Sequence, residues 1–499
     1  MNRKRIVDLF AAISQPLLLI GVSLYLVIYL VIALTRISYP FELEWMEGGA
    51  VVHVQRLLNG EPLYVTPSLD FIPFIYSPFY FYVSALVAYV TGNGFFPLRL
   101  VSFVSSLGCF TLIFLIVYKR TSSRWASLMA SCLFAATFRL SGAWFDIARV
   151  DSLFLFLLLA GIYTFESERF FTRSFASPAL LFLSFFTKQT ALIIAVALSV
   201  AALFTRKGAE RLWLPLNFGL LLTASSLLMN ALTDGWYSYY VFDLPAQHAI
   251  LSSMFSGFWT DDIVRHLPIA LTACIIPFLG IGNTSNQKVD RLFQDFLILG
   301  SLFLASYLSR LHTGGYDNVL MPVYAAIAIY FGIGLAFSWK AVAGAATVQA
   351  VLILAVALQF VALTYSPQQQ IPSLLDRQQG ERLQQLIASF PGEVYLSDHP
   401  WYAGDMDKPT QAQDMAVRDI LRASDSEEWK RLLEEAMAAA IVEQKYAALI
   451  VDFEDFPLRV PDFEVYYELV DSGLSGDAFL PVTGWDRKPA YLYVRRTLQ

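Results

Sequence analysis

The sequence predicts an all-α polytopic membrane bundle of about eleven spans, followed by a small C-terminal α/β domain. Three observations lead there. The 499 residues are 56% hydrophobic and only 15% charged, with a mean hydropathy of +0.53. Their apolar runs approach the roughly 20 residues a helix needs to cross a bilayer. Charge then divides the chain: residues 1–364 hold 22 Lys/Arg against 18 Asp/Glu, whereas 365–499 hold 13 against 23. That shift marks a boundary between a membrane unit, 1–365, and a water-compatible acidic domain, 366–499. Finally, basic residues gather at alternate loop ends, which sets an orientation.

The first apolar run, Pro16–Leu34, follows Arg3-Lys4-Arg5. It is too long for a signal peptide and lacks a small-residue cleavage site, so it reads as a retained span. Spans follow near 98–118, 125–141, 152–166, 175–188, 190–205, 212–232, 266–283, 291–309, 319–338 and 342–364. With the N-terminus cytoplasmic, 14 of the 22 basic residues of the membrane unit fall at cytoplasmic ends, among them Lys119, Arg120, Arg124 and Lys340. An odd number of spans then leaves the C-terminal domain extracytoplasmic. The expected location is a bacterial inner or plasma membrane.

Residues 77–91 are apolar but short, with five aromatics. Counting them as a span would put Lys119, Arg120 and Arg124 outside, so they read as a helix lying at the interface. The first outer loop therefore runs from about 37 to 97, with surface helices near 46–59 and 77–91 joined by the turn Pro62–Pro78.

Beyond Ser366-Pro367-Gln368-Gln369-Gln370, helical periodicity at 374–389 and 425–444 alternates with β-rich runs. These are Glu393–Leu396, Ala447–Val451, Glu464–Val470 and Ala490–Val494, the pattern of a small α/β domain. Its polar residues Asp398, His399 and Asp405 read as a solvated loop. Cys109, Cys132 and Cys274 lie in apolar runs as small core residues, with no disulfide framework or zinc pattern. Neither part has the basic surface that nucleic acid requires.

The polar residues of the membrane unit converge on the outer loops. The first supplies Glu42, Glu44, Glu47 and His53; later ones supply Asp146, Arg149 and Asp151, then Lys188-Gln189-Thr190. The loop at 233–265 carries His248, and the last supplies Arg310, His312, Tyr316 and Asp317. A lone cation such as Lys188 in an apolar run is expensive and points to function. Glu42 reads as a solvated loop carboxylate, and His53, His248 and His312 as ordinary helix or loop histidines. Arg149 and Asp151 could also simply pair with each other.

This arrangement resembles the GT-C class of integral-membrane glycosyltransferases, in the protein O-mannosyltransferase and aminoarabinose-transferase branch (glycosyltransferase family 39-like). The resemblance covers about residues 8–365. It rests on the first-loop acids followed by Leu57-Leu58-Asn59-Gly60-Glu61-Pro62-Leu63-Tyr64, and on Tyr76-Ser77-Pro78-Phe79-Tyr80-Phe81-Tyr82. Pro97-Leu98-Arg99-Leu100-Val101-Ser102, Ala148-Arg149-Val150-Asp151 and Thr187-Lys188-Gln189-Thr190 extend it. The resemblance implies inverting transfer of a hexosyl or pentosyl unit from a polyprenyl-phosphate-linked donor to an extracytoplasmic acceptor: glycan, lipid or protein. Where the family has a leading Asp-Glu pair, this chain has Glu44-Trp45-Met46-Glu47. Glu44 is the preferred base and Glu47 its rival. Lys188 and Arg149, with Arg310 behind them, are the cations for the leaving phosphate. Asp151, Gln189, Tyr316 and Asp317 support them, and a divalent metal ion at Glu47 and Asp151 stays open. Rival readings are a multi-pass transporter or flippase, which internal repeats would favour, and a membrane scaffold.

Overall fold

The computed structural model describes residues 3–279, 286–424, 427–453, 463–474 and 481–496; for 3–12 and 286–287 it describes the backbone alone. Five helices among these are long and apolar enough to cross a membrane: Ile13–Arg36, Phe95–Thr121, Glu210–Leu232, Lys288–Leu311 and Asp317–Ala341. Shorter apolar helices occupy Asp151–Phe165, Ala191–Thr205, Pro268–Phe278 and Ala346–Val361. Two more, Arg124–Ala136 and Ser177–Phe185, complete the positions expected of spans. The last four residues of the expected span 266–283 lie outside the described residues. The protein is a multi-pass membrane protein.

Its apolar surface is turned outward, as lipid requires. Leu17, Ile20, Leu24, Val27, Val31 and Leu34 form an exposed stripe along the first helix, at the three-to-four-residue spacing of one helix face. Met321–Leu335, by contrast, is a run of buried residues, so this helix sits at the centre of the bundle. At the end rich in Lys and Arg, Arg120 pairs with both Glu166 and Asp295, and Arg291 lies 3.6 Å from Glu166. Acids at that end neutralise cations that would otherwise be stranded.

The first loop folds into the expected helices, Glu47–Leu58 and Phe79–Thr91. Leu86, Tyr89 and Val90 on the second remain exposed, as an interfacial helix would leave them. The C-terminal part contributes, among the described residues, a four-stranded sheet of β1 (Glu393–Leu396), β2 (Tyr446–Val451), β3 (Tyr467–Val470) and β4 (Tyr491–Arg495). The order is β1-β2-β4-β3; β1 and β2 are parallel, and β4 runs antiparallel to both its neighbours. The parallel pair needs a long crossover, here carrying the helices Trp401–Asp405, Asp414–Arg422 and Glu427–Val442. The first two were not expected. Residues 463–466 form a helical turn, so β3 begins later than the β-rich run at 464 suggested.

Sheet and first loop share one core. Phe41, Trp45, Val51 and Tyr80 pack in the same buried cluster as Leu383, Val394, Tyr402 and Leu449. Backbone joins them as well, since Ala412 N–H donates to Leu69 C=O at 2.8 Å.

Arg36 ends the first helix and fixes it to the loops at that end of the bundle. Its guanidinium holds Asp146 through both oxygens, at 2.6 and 2.7 Å, and also donates to the carbonyls of Ala143 and Gln370. Asp146→Ala would strand this buried cation at a cost of about 3–5 kcal/mol. We expect its unfolding midpoint in detergent to fall well below wild type, and Arg36→Met/Asp146→Leu to recover most of the loss. A midpoint unchanged in Asp146→Ala would show that the pair does not hold the helix.

Candidate active site

Three carboxylates open the first loop, and their surroundings differ sharply. Glu47 begins a helix, where an acidic first turn suits the exposed N–H groups. Arg99, from the first turns of Phe95–Thr121, grips it with Nε at 3.0 Å from Oε1 and Nη2 at 2.5 Å from Oε2. Leu43 N–H and Ala148 N–H donate to the remaining lone pairs. Burial raises its pKa, but Arg99 and these N–H groups outweigh burial and hold Glu47 below its ordinary value. Arg99 in turn donates to the carbonyls of Arg36, Tyr39 and Phe41. Such a saturated carboxylate has little left to offer a metal or a substrate.

Glu42 is also buried, contrary to its expected place in a solvated loop. His399 Nδ1 lies 2.5 Å from its Oε2 and Gly48 N–H donates to Oε1, while His399 Nε2 lies 3.2 Å from Asp452. The reading of Asp398 and His399 as a solvated loop is therefore corrected: both are buried, and His399 bridges the first loop to the sheet. Hydrophobic neighbours such as Phe41 and Tyr402 bury the bridge. Asp405 is exposed, as expected. Burial pushes Glu42 up to about 7 against the pull of His399.

Glu44 is different. It is 1% exposed, yet among the described residues its ion-pair partner is Arg149 alone, at 3.4 Å. Burial pushes it up to about 8; Arg149 pulls the other way, and Glu47 and Glu42 add to the rise. The segment leading into β4 lies over it: Thr483 N–H donates to Leu43 C=O at 3.0 Å, and the Thr483 hydroxyl donates to Gly142 C=O. The next residue, Gly484, has φ +88°, and a Cβ there would fall 2.9 Å from Glu44 Cγ. Only glycine meets both demands. Arg487, 4.7 Å from the Trp45 ring centre, closes the same side.

Arg149 donates to the Tyr76 hydroxyl at 3.0 Å and lies over the rings of Trp144 and Tyr76. It does not pair with Asp151. That carboxylate accepts from Lys188 at 2.6 Å, Asn318 at 3.0 Å and the Trp144 indole at 2.9 Å. Gln189 braces the site by donating to Ile75 and Val241 carbonyls, and Tyr316 packs 5.1 Å from Trp144. Arg310 is held by Asp262 at 2.9 Å and Asp317 at 3.2 Å, in an ion-pair group of its own. His53 is a core histidine: Nδ1 meets Gly49 C=O and Nε2 accepts from Phe74 N–H.

The structure thus gathers Glu44, Glu47, Arg149, Asp151, Lys188, Gln189 and Tyr316 around Trp144 and the first loop. Arg99, Tyr76 and Trp144 were missed as site residues. The first two stood within quoted motifs, where buried charge beside an acidic loop was the available signal. Among the described residues no group of three or more His, Cys, Asp or Glu is disposed to hold a metal ion. Asp151, like Glu47, is already occupied by donors. The three cysteines are buried and unpaired with each other.

The crystal structure of ArnT from Cupriavidus metallidurans bound to undecaprenyl phosphate has a TM-score of 0.56 and 14% identity to this chain, over 95% of this chain and 98% of that one. The apo crystal structure of that protein has a TM-score of 0.44 and 14% identity, over 83% and 91%. No protein-family model matches the sequence, and no curated protein matches it. The chain therefore has the fold of ArnT, in line with the GT-C resemblance of its motifs.

The state of Glu47 makes stability pH-dependent. Its depressed pKa contributes stability in full above the unfolded value of about 4.3, and that contribution is lost as pH falls through the folded value. The wild-type unfolding midpoint should therefore drop below about pH 4. Glu47→Gln should be destabilised by about 3–5 kcal/mol at neutral pH and show a shallower acid slope. Equal midpoints at pH 7 would refute this role.

Proposed function

We propose that the chain is a glycosyltransferase that moves a sugar from a polyprenyl-phosphate carrier to an extracytoplasmic acceptor, with inversion. The observation that carries this reading is the Glu44–Arg149 pair: a loosely held carboxylate with a raised pKa, beside a cation that has no bidentate partner among the described residues. The acceptor hydroxyl loses its proton to Glu44 as its oxygen attacks the anomeric carbon. The bond from that carbon to the phosphate oxygen breaks, and charge gathers on the leaving carrier phosphate. Arg149 is the cation placed to receive it. Lys188 is a second, reached by loosening Asp151. Glu47 acts as the anchor of the loop, and Arg310 with Asp317 holds the loop that carries Tyr316. The strap around Gly484 has to lift for an acceptor to reach Glu44.

The fold likeness to ArnT, crystallised with undecaprenyl phosphate, supports a carrier of that class. The eleven-span threading, with the N-terminus cytoplasmic and residues 366–499 forming an outer cap, belongs to the same proposal. It rests on the Lys/Arg distribution and on the cap's shared core with the first loop.

Sugar release from undecaprenyl-phosphate sugars by membranes tests the chemistry. Glu44→Gln should lower transfer by about 10²–10⁴-fold while leaving the unfolding midpoint near wild type. Because Glu44 acts deprotonated, and burial sets its pKa at about 8, the wild-type rate should climb with pH up to about that value and then level. Undiminished transfer by Glu44→Gln would remove it as the base, whereas solute uptake without any transfer would point to a transporter.

Orientation is tested separately. In intact cells Arg124→Cys should be shielded from an impermeant thiol reagent and Asn59→Cys should react. Labelling at 124 would invert the threading.

A further inference from the structure

On the cap side of Arg149 lies a polar cluster that the proposed reaction leaves unused. Asp419 belongs to the helix Asp414–Arg422, and His248 to the membrane unit's loop after Leu244–Ala246. Both are more than nine-tenths buried, Asp419 at 2% and His248 at 8% exposure. His248 Nε2 stands 3.5 Å from Asp419 Oδ1, and Arg422 Nη1 stands 4.0 Å from the same oxygen. These separations are too long for good hydrogen bonds. Asp419 Oδ1, His248 Nε2 and His312 Nδ1 are all buried without a hydrogen-bond partner among the described residues.

Buried polar atoms in native proteins are rarely left unsatisfied, so a group of three asks for an explanation. Burial pushes Asp419 up to about 7 although Arg422 and Arg149 pull it down, and it brings His248 down to about 4, helped by Arg422 and His312. Asp419 also feels the charge of Arg149, which itself lies 3.4 Å from Glu44. A neutral imidazole offers one donor and one acceptor, and the carboxyl adds further acceptors. That set complements adjacent hydroxyl groups, each of which donates and accepts.

We propose that Asp419, with His248 and His312, forms a subsite for the hydroxyl groups of a sugar ring lodged beside Arg149. This deepens the transfer reading and rests on it. The ring belongs either to the carrier-linked donor or to the acceptor, and the same chemistry serves both.

Binding to the purified full-length protein in detergent separates these sources. The probes are bare undecaprenyl phosphate, undecaprenyl phosphate linked to glucose, mannose, galactose or arabinose, and the methyl glycosides of those sugars with and without bare carrier. At least one sugar should bind, either as a gain in affinity over bare carrier (donor ring) or as a free glycoside (acceptor ring). Asp419→Ala should cut that sugar-dependent affinity by about tenfold or more, while bare-carrier affinity stays within roughly twofold. Asp419→Asn keeps the shape and should lose only part. Should Asp419→Ala not fold, His248→Ala supplies the same readout.

No sugar-dependent binding in either arm, or binding that survives the substitution, overturns the subsite. A wild type that fails to bind bare undecaprenyl phosphate instead overturns the carrier reading, and the glycosides tested without carrier still decide the subsite.

Discussion

The end of the bundle that carries the first loop depends on the buried pair of Glu47 and Arg99. Charges out of water are tolerated only when each lone pair and each N–H finds a partner. Here four donors meet the carboxylate and three loop carbonyls meet the guanidinium. One interaction thereby ties the end of the first helix, the turn before Glu47, the helix Phe95–Thr121 and the loop at Ala148. With the backbone of residues 36–47 fixed in this way, Glu44 is set beside Arg149 with no choice of its own. The contrast between two acids three residues apart is the physical core of the site: one is met by a full set of donors, the other is buried with Arg149 as its one ion-pair partner among the described residues.

The cap completes that environment. Had residues 366–499 been a loosely tethered appendage, Glu42 and Glu44 would face water and keep ordinary carboxylate behaviour. Instead His399 reaches Glu42, Gly484 lies on Glu44 and Arg487 on Trp45. Exclusion of water by these contacts is what raises Glu42 and Glu44. It also makes any charge on Arg149 act strongly at short range. The same contacts mean that cap and first loop answer to each other, so a change in one is felt as a change in the electrostatics of the other.

The bundle was largely legible because its signals are local. Apolar runs, basic loop ends and the short aromatic segment at 77–91 each carry their own evidence, and the helices appear where those runs lie. The strands β1, β2 and β4 were legible for the same reason. What escaped was set by contacts distant in sequence. Nothing near Asp398-His399 announces that His399 will meet Glu42, 357 residues away. The helix Asp414–Arg422 did leave a trace, since Ala416, Val417, Ile420 and Leu421 have helical spacing, but nine residues between polar stretches give a short signal. Among the expected site residues, position within the motif preferred Glu44 but could not settle its rank against Glu47. That ranking depends on which acid Arg99 reaches. Lys188 stood out as an expensive cation in an apolar run, with Asp151 as an available acid, and the structure buries the two together.

In the proposed reaction Arg149 receives a carrier phosphate beside a carboxylate that acts on the acceptor, not on the carrier. Native mass spectrometry of the protein released from membranes in mild detergent tests it most directly. The account predicts a bound polyprenyl-phosphate mass that persists in Glu44→Gln and disappears in Arg149→Ala. A protein that carries no such lipid, or one whose lipid is indifferent to Arg149, would contradict it.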